Sequence, residues 1–115
     1  MKMVHVTIRT KCMEESIKFY EEVVGLKVQM DLRPMGGAIV FMAENEGDTQ
    51  VELIENPQEA YSGAGISMGF HTEGVEGKHA ELKEKGFEVT PIISPNPNTK
   101  FFFVNDPNGV QVQFI

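Results

Sequence analysis

The chain has 115 residues, a formal net charge of −7 at pH 7 and a hydrophobic content of 41%. Its length and hydrophobic content fit one domain with a core, while its negative charge repels phosphate backbones and anionic lipids, so nucleic-acid and membrane partners are not expected. With one cysteine, Cys12, and no apolar run of membrane-spanning length, the chain can form neither an internal disulfide nor a thiolate-rich zinc site, and we predict a cytoplasmic protein.

The first half of the chain predicts one strand, one helix and three further strands. "MVHVTIRT" alternates and is rich in β-branched residues, which is typical of a strand. "MEESIKFYEEVVGL" has helical spacing of its apolar residues, acidic residues in its first turn and Gly25 as a C-terminal stop. Three candidate strands follow: "KVQMDL", "GAIVFMA" and "TQVELIE".

The second half repeats this order after a predicted linker, "IENPQEAYSGAG". A strand, "GISMGFHT", precedes a helix, "VEGKHAELKEKG", that ends at Gly86. Three strands are then predicted in "FEVTPII", "KFFFVND" and "GVQVQFI".

The two halves align with almost no gaps, since Gly86, Phe102 and Gln113 each follow their counterparts Gly25, Phe41 and Glu52 by the same interval. We therefore predict an α+β fold in one domain, 1–115, made of two similar modules, 1–57 and 64–115. The helices should cover one face of each curved sheet and leave the other face free to form a cleft.

Strand alternation predicts which side chains face that cleft. On the first strand the apolar face must pack on the helix, which leaves His5, Thr7 and Arg9 on the other face. By the same test four polar residues from distant strands converge: His5, Glu52, Ser67 and Gln113. Imidazole and carboxylate are good ligands for a divalent ion, although a hydrogen-bonded structural histidine and a solvated glutamate are the simpler alternatives.

The sequence resembles the vicinal oxygen chelate superfamily, the group of glyoxalase I, bleomycin-resistance proteins and dioxygenases. The likeness covers essentially the whole chain and is carried by "HVTIRT", "SIKFYEEVVGLKV", "KGFEVT" and "FFFVNDPNGVQVQFI". It implies a βαβββ module used twice, with the sheets curling into a barrel-like cleft. It also implies a homodimer, because two chains commonly combine their modules in this family.

The resemblance implies a metal site with a partly altered ligand set. In glyoxalase I the metal is held by a His or Gln on the first strand, a Glu on the fourth, a His on the fifth and a Glu on the eighth. His5 and Glu52 match the first two positions, while Ser67 and Gln113 occupy the others. The predicted ligands are His5, Glu52 and Gln113, for Ni²⁺, Zn²⁺ or Mn²⁺. Gln113 cannot take up a proton, whereas Glu52 can.

The resemblance also implies residues that bind the substrate. Arg9 and Asn56 match residues of glyoxalase I that contact the glutamyl portion of glutathione, and an arginine can hold a carboxylate through two hydrogen bonds. Pairing of Arg9 with an acidic residue of the chain is the alternative. Ser67 is assigned to substrate binding, and His71, the counterpart of Arg9, to substrate contact or general-base catalysis.

Two functions follow from these residues. The first is a divalent-metal lyase or isomerase that acts on a small oxygenated or thiol-adduct substrate, with Glu52 or His71 moving the proton. The second is a binding protein of bleomycin-resistance type that sequesters a small molecule without a metal, in a cleft lined by methionine and phenylalanine.

Overall fold

The computed structural model describes residues 1–115, and the chain divides into two compact units, Met1–Ser62 (unit 1) and Gly63–Ile115 (unit 2). Each unit consists of a strand, a helix and three more strands, and each has a four-stranded mixed sheet. The predicted α+β class and the repeated module are therefore confirmed.

Unit 1 contains a sheet with the strand order β1-β4-β3-β2, in which β1 runs parallel to β4 and the other pairs are antiparallel. Its helix continues for one π-helical turn and then ends at Gly25, whose φ of 86° is accessible to glycine without strain. The elements are β1 His5–Thr10, α1 Met13–Phe19, the π-helical turn Tyr20–Val24, β2 Lys27–Asp31, the 3₁₀ turn Arg33–Met35, β3 Ile39–Ala43 and β4 Gln50–Glu55.

Unit 2 has the equivalent sheet order, β5-β8-β7-β6, again with one parallel pair, β5 with β8. Neither α2 nor any other helix of the chain is long and apolar enough to cross a membrane. The elements are β5 Ser67–Phe70, α2 Val75–Glu84, β6 Ile93–Asn96, β7 Thr99–Asn105 and β8 Gln111–Phe114.

The parallel strand pairs of the two units share one register. In unit 1, Thr7 lies opposite Glu52, and in unit 2 the equivalent neighbours are Gly69 and Gln113. His5 lies opposite Gln50 in the same way that Ser67 lies opposite Gln111. Glu52 and Gln113 therefore occupy matching places in two sheets built to the same plan.

The core of unit 1 lies between α1 and one face of the sheet. On β1, Ile8 and Thr10 are buried, whereas His5, Thr7 and Arg9 are exposed, as the alternation predicted. Across the sheet from Ile8, Leu53 is fully buried. Burying a side chain of this size stabilises the fold by about 1.5–3 kcal/mol, so the apolar face determines which side of β1 packs inward.

The second strand of the second half differs from the prediction. Residues 87–93 were expected to form it, but β6 runs from Ile93 to Asn96, and Val89 forms only a single bridge with Val104. At Thr90 the regular backbone pairing is interrupted. The side-chain hydroxyl oxygen of Thr90 accepts the Phe103 N–H, and the Thr90 carbonyl accepts a hydrogen bond from the ring of His79. Pro91 follows directly and has no N–H to donate, so pairing resumes only beyond it.

Arg33 connects the 3₁₀ turn of unit 1 to β2 and α1. Its Nε and Nη2 atoms donate to the carboxylate of Asp31 at 2.9 and 2.8 Å, and Nη1 donates to Glu14 at 2.7 Å. The hydrogen bonds from Arg33 hold the pKa of Asp31 below its usual value.

We expect Arg33→Leu to lower the thermal unfolding midpoint at pH 7 relative to Lys11→Leu, which removes one exposed positive charge without breaking an ion pair. Since the pKa of Asp31 is lower in the folded state, the stabilisation is complete above the ordinary Asp pKa of about 3.9 and is lost as the pH falls through the lowered value. Melting curves recorded from pH 7 downward measure this convergence. A gap between the two variants that is independent of pH contradicts it.

Candidate functional site

Three side chains form a cluster on the exposed face of the parallel pair β1–β4: His5, Thr7 and Glu52. The Thr7 hydroxyl donates a hydrogen bond to Glu52 Oε1, which is possible because the two residues lie directly opposite each other. His5 Nε2 lies 3.5 Å from the same oxygen. The structure thus brings together two of the predicted site residues, His5 and Glu52, and adds Thr7 to them.

Burial and packing restrict the orientation of this cluster. The side chain of Glu52 is only 11% exposed, and a carboxylate so far removed from water needs polar partners, which Thr7 and His5 provide. The imidazole of His5 packs edge-on against the ring of Phe41, with 5.8 Å between ring centroids. Phe41 is the cross-strand neighbour of Glu52 on β3, so it supports the cluster from the other side of β4.

The two candidate ligands of unit 1 fit a shared metal ion. Two atoms bound to one zinc ion at about 2.1 Å in a tetrahedral arrangement lie roughly 3.4 Å apart. The separation of 3.5 Å between His5 Nε2 and Glu52 Oε1 agrees with that value. No group of three or more His, Cys, Asp and Glu side chains suited to a metal ion occurs in residues 1–115.

The matching place in unit 2 has no charge and no hydroxyl group. Gln113 is half-buried on β8, and its neighbour on β5 is Gly69. A Cβ atom added at Gly69 would lie 3.0 Å from Gln113 Oε1, so even an alanine there would crowd the amide. On the other side of Gln113, Phe103 of β7 packs edge-on against Phe101 with 5.7 Å between ring centroids.

Arg9 and Asn56 lie near the end of β1 in unit 1. Arg9 is exposed on β1 and forms no ion pair with a carboxylate of unit 1. The Asn56 N–H donates to the Thr10 carbonyl, and its side-chain Oδ1 accepts the N–H of Glu59 at 3.1 Å. The side-chain carbonyl of Asn56 therefore stabilises a turn. The side-chain NH₂ makes no hydrogen bond in this turn.

His71 lies at an open pocket of unit 2 with a volume of about 420 Å³. Its Nε2 lies 3.5 Å from a carboxylate oxygen of Glu73, and both side chains are largely exposed. At the same pocket Lys100 donates a hydrogen bond to Glu76 at 2.7 Å, and this exposed contact lowers the pKa of that carboxyl. The pocket is lined by His71, Glu73, Val75, Glu76, Pro97, Asn98, Thr99, Lys100 and Ile115.

Sequence reasoning missed the contribution of two residues, Thr7 and Phe41. Alternation already placed Thr7 on the face of His5, but the partner of its hydroxyl depends on the register between β1 and β4. Phe41 was found as a repeat position, and its contact with His5 follows from the pairing of β3 with β4. Neither pairing can be read from spacing along the chain.

The comparison with protein families finds one match over nearly the whole chain. The sequence pattern of the Glyoxalase/Bleomycin resistance protein/Dioxygenase superfamily matches residues 2–114. Among curated proteins, the lactoylglutathione lyase of Haemophilus influenzae is 27% identical over 127 aligned positions, which cover 100% of this chain and 92% of that enzyme.

Solved structures with the same fold include an enzyme and a binding protein. The trypanothione-dependent glyoxalase I of Leishmania major superposes with a TM-score of 0.77 at 26% identity, covering 100% of this chain and 86% of that one. TnmS3, an antibiotic-binding protein from Streptomyces sp. CB03234, superposes with a TM-score of 0.78 at 22% identity, covering 99% and 93% of the two chains. The second likeness shows the fold alone.

Proposed function

The chain belongs to the Glyoxalase/Bleomycin resistance protein/Dioxygenase superfamily, and on that basis we propose that it is a divalent-metal lyase or isomerase of the glyoxalase type. The observation that supports this proposal most strongly is the separation of 3.5 Å between His5 Nε2 and Glu52 Oε1 on adjacent strands. The substrate class we propose is a small oxygenated compound or a thiol adduct, since curated relatives of the chain are lactoylglutathione lyases.

His5 and Glu52 are the ligands that unit 1 offers to Ni²⁺, Zn²⁺ or Mn²⁺. Imidazole nitrogen and carboxylate oxygen suit all three ions. When bound, the ion supplies a Lewis acid for the vicinal oxygens of the substrate. Gln113, with its amide oxygen, remains the predicted third ligand. Light scattering of the purified chain tests the predicted homodimer.

Glu52 is the group that we assign to proton transfer, with His71 as the other candidate base. A carboxylate can accept a proton from one carbon and return it to the next, which an amide at the same place cannot do. The hydrogen bond from Thr7 and the contact with His5 involve the same Glu52 oxygen, Oε1. The second oxygen, Oε2, receives no hydrogen bond from the protein and is therefore available to a substrate.

Arg9, Asn56 and Ser67 are assigned to substrate binding. The exposed guanidinium of Arg9 can hold an anionic group through two hydrogen bonds, because no carboxylate of unit 1 occupies it. Asn56 contributes its side-chain NH₂, and Ser67 contributes an exposed hydroxyl at the start of β5.

Calorimetric titration of the purified chain with Ni²⁺, Zn²⁺ and Mn²⁺ tests the proposal. We expect the wild-type chain to bind at least one of these ions and His5→Ala to bind it more weakly by over about 100-fold, because a ligand contributes more than the outer-shell groups around it. His71→Ala is the matched histidine variant. It should keep the wild-type metal affinity, while its conversion of a glutathione thiol adduct to the lactoyl thioester falls by about 10²-fold if His71 moves the proton.

Failure to bind any of the three ions overturns the metal-dependent function and leaves a metal-free binding function. The observation that favours this second function is the aromatic pair Phe101 and Phe103, half-buried and 5.7 Å apart beside the amide of Gln113. A flat apolar ligand can stack on such a surface. A thermal-shift screen of flat aromatic compounds with a metal chelator present measures this binding directly.

A further inference from the structure

We propose that Thr7 is a positioning residue for Glu52, whose carboxylate it holds in the orientation that metal binding requires. The inference rests on the proposed metal-dependent function and assigns a role to a residue that the sequence placed on the face of His5 without giving it a function. Its basis is the hydrogen bond from the Thr7 hydroxyl to Glu52 Oε1 across the parallel pair β1–β4.

Thr7 and His5 are the two side chains that contact the carboxylate of Glu52. The side chain is 11% exposed, and Oε1 receives the Thr7 hydroxyl and lies 3.5 Å from His5 Nε2. His5 is itself a proposed ligand, so its nitrogen cannot at the same time hold the carboxylate and bind a metal ion. Thr7 is then the side chain that keeps Glu52 oriented while His5 is engaged.

The strand does not need a hydroxyl at this position. Thr7 is exposed on β1, where valine has an equal preference for extended backbone and nearly the same shape. In unit 2 the equivalent position opposite Gln113 is Gly69, which has no donor side chain. Of the two matching positions, the hydroxyl thus occurs beside the carboxylate and not beside the amide.

Hydrogen bonds to ligating carboxylates affect the metal affinity of a site. Loss of such an outer-shell partner typically weakens metal binding by about 10–100-fold. A side chain that merely completes a strand has no such effect. The two roles of Thr7 therefore predict different results for a variant that loses only the hydroxyl.

Calorimetric metal titrations of Thr7→Val and Thr7→Ser separate these roles. We expect Thr7→Val to bind metal about 10–100-fold more weakly, and Thr7→Ser, which keeps the donor, to bind within a few-fold of the wild type. The control is Thr49→Val, which removes a hydroxyl that donates to the Met3 carbonyl elsewhere in unit 1. Wild-type affinity in Thr7→Val, or equal losses in Thr7→Val and Thr7→Ser, overturns the proposal.

A second measurement does not depend on metal. The difference infrared spectrum between the wild-type chain and Glu52→Gln isolates the carboxylate stretching bands of Glu52. These bands should shift in Thr7→Val but not in Thr7→Ser or Thr49→Val. If the wild-type chain binds no metal, the proposed function fails, and this spectrum alone decides whether Thr7 holds Glu52: unshifted bands in Thr7→Val overturn the inference.

Discussion

Glu52→Gln is expected to remove the metal affinity of the chain and to lower its conversion of a glutathione thiol adduct to the thioester by about 10²–10⁴-fold. The substitution keeps the size of the side chain and lets Thr7 donate to the amide oxygen, so the β1–β4 pair should remain intact. It removes the only negative charge of the His5–Thr7–Glu52 cluster. It also removes the carboxylate that could accept a proton. Calorimetry and a spectrophotometric assay of the thioester measure the two losses.

Glu55→Gln is the matched control for this experiment. Glu55 lies at the end of the same strand, β4, where its side chain is exposed, and its replacement changes the charge of the chain by the same amount. Metal affinity and turnover should stay at wild-type levels. If Glu52→Gln behaves like Glu55→Gln, the proposed site is not where this chain binds its metal or does its chemistry.

Phe102→Ala is expected to lower the free energy of unfolding by about 3–5 kcal/mol. Phe102 is fully buried on β7, where its ring lies 5.4 Å from that of Phe114 and meets the imidazole of His79 edge-on at 5.0 Å. Truncation to alanine removes these contacts and leaves a cavity, because the strands on either side cannot close around it. Urea unfolding followed by circular dichroism measures the change.

Phe101→Ala provides the comparison for the same strand. Phe101 is half-buried and points to the opposite face of β7, where its ring packs on Phe103. Removing it exposes less apolar surface than removing Phe102, so the loss of stability should be clearly smaller. Equal losses for the two variants mean that the core of unit 2 does not lie on the side of the sheet that faces α2.

The repeat was sufficient to predict the order of elements, and the alternation was sufficient to predict which face of β1 is buried. The alternation is a pattern within a short segment, with Ile8 and Thr10 facing inward while His5 and Arg9 face outward. The strand predicted over 87–93 failed for a different reason. At Thr90 the side-chain hydroxyl accepts the Phe103 N–H, which in a regular strand pair is donated to a backbone carbonyl. Residue preferences for strands do not predict this replacement.

The candidate site was predictable only in part, since its contacts join residues far apart in the chain. Strand alternation placed His5 and Glu52 on the cleft face, the family resemblance implied their ligand role, and their separation of 3.5 Å agrees with that role. The part played by Thr7 depends on a register that sets it opposite Glu52, 45 residues away. The turn at Asn56 likewise depends on a three-dimensional contact, because the side-chain carbonyl of Asn56 accepts the backbone N–H of Glu59.

The shared register of the two units locates their chemical difference in side chains and not in the backbone. Thr7 and Glu52 are cross-strand neighbours in one unit, and Gly69 and Gln113 are the equivalent neighbours in the other. Each contrast is one amino acid exchanged for another on an unchanged frame. The carboxylate and the hydroxyl of one unit, and the lack of both in the other, therefore depend on side chains at equivalent backbone positions and not on a different strand pairing.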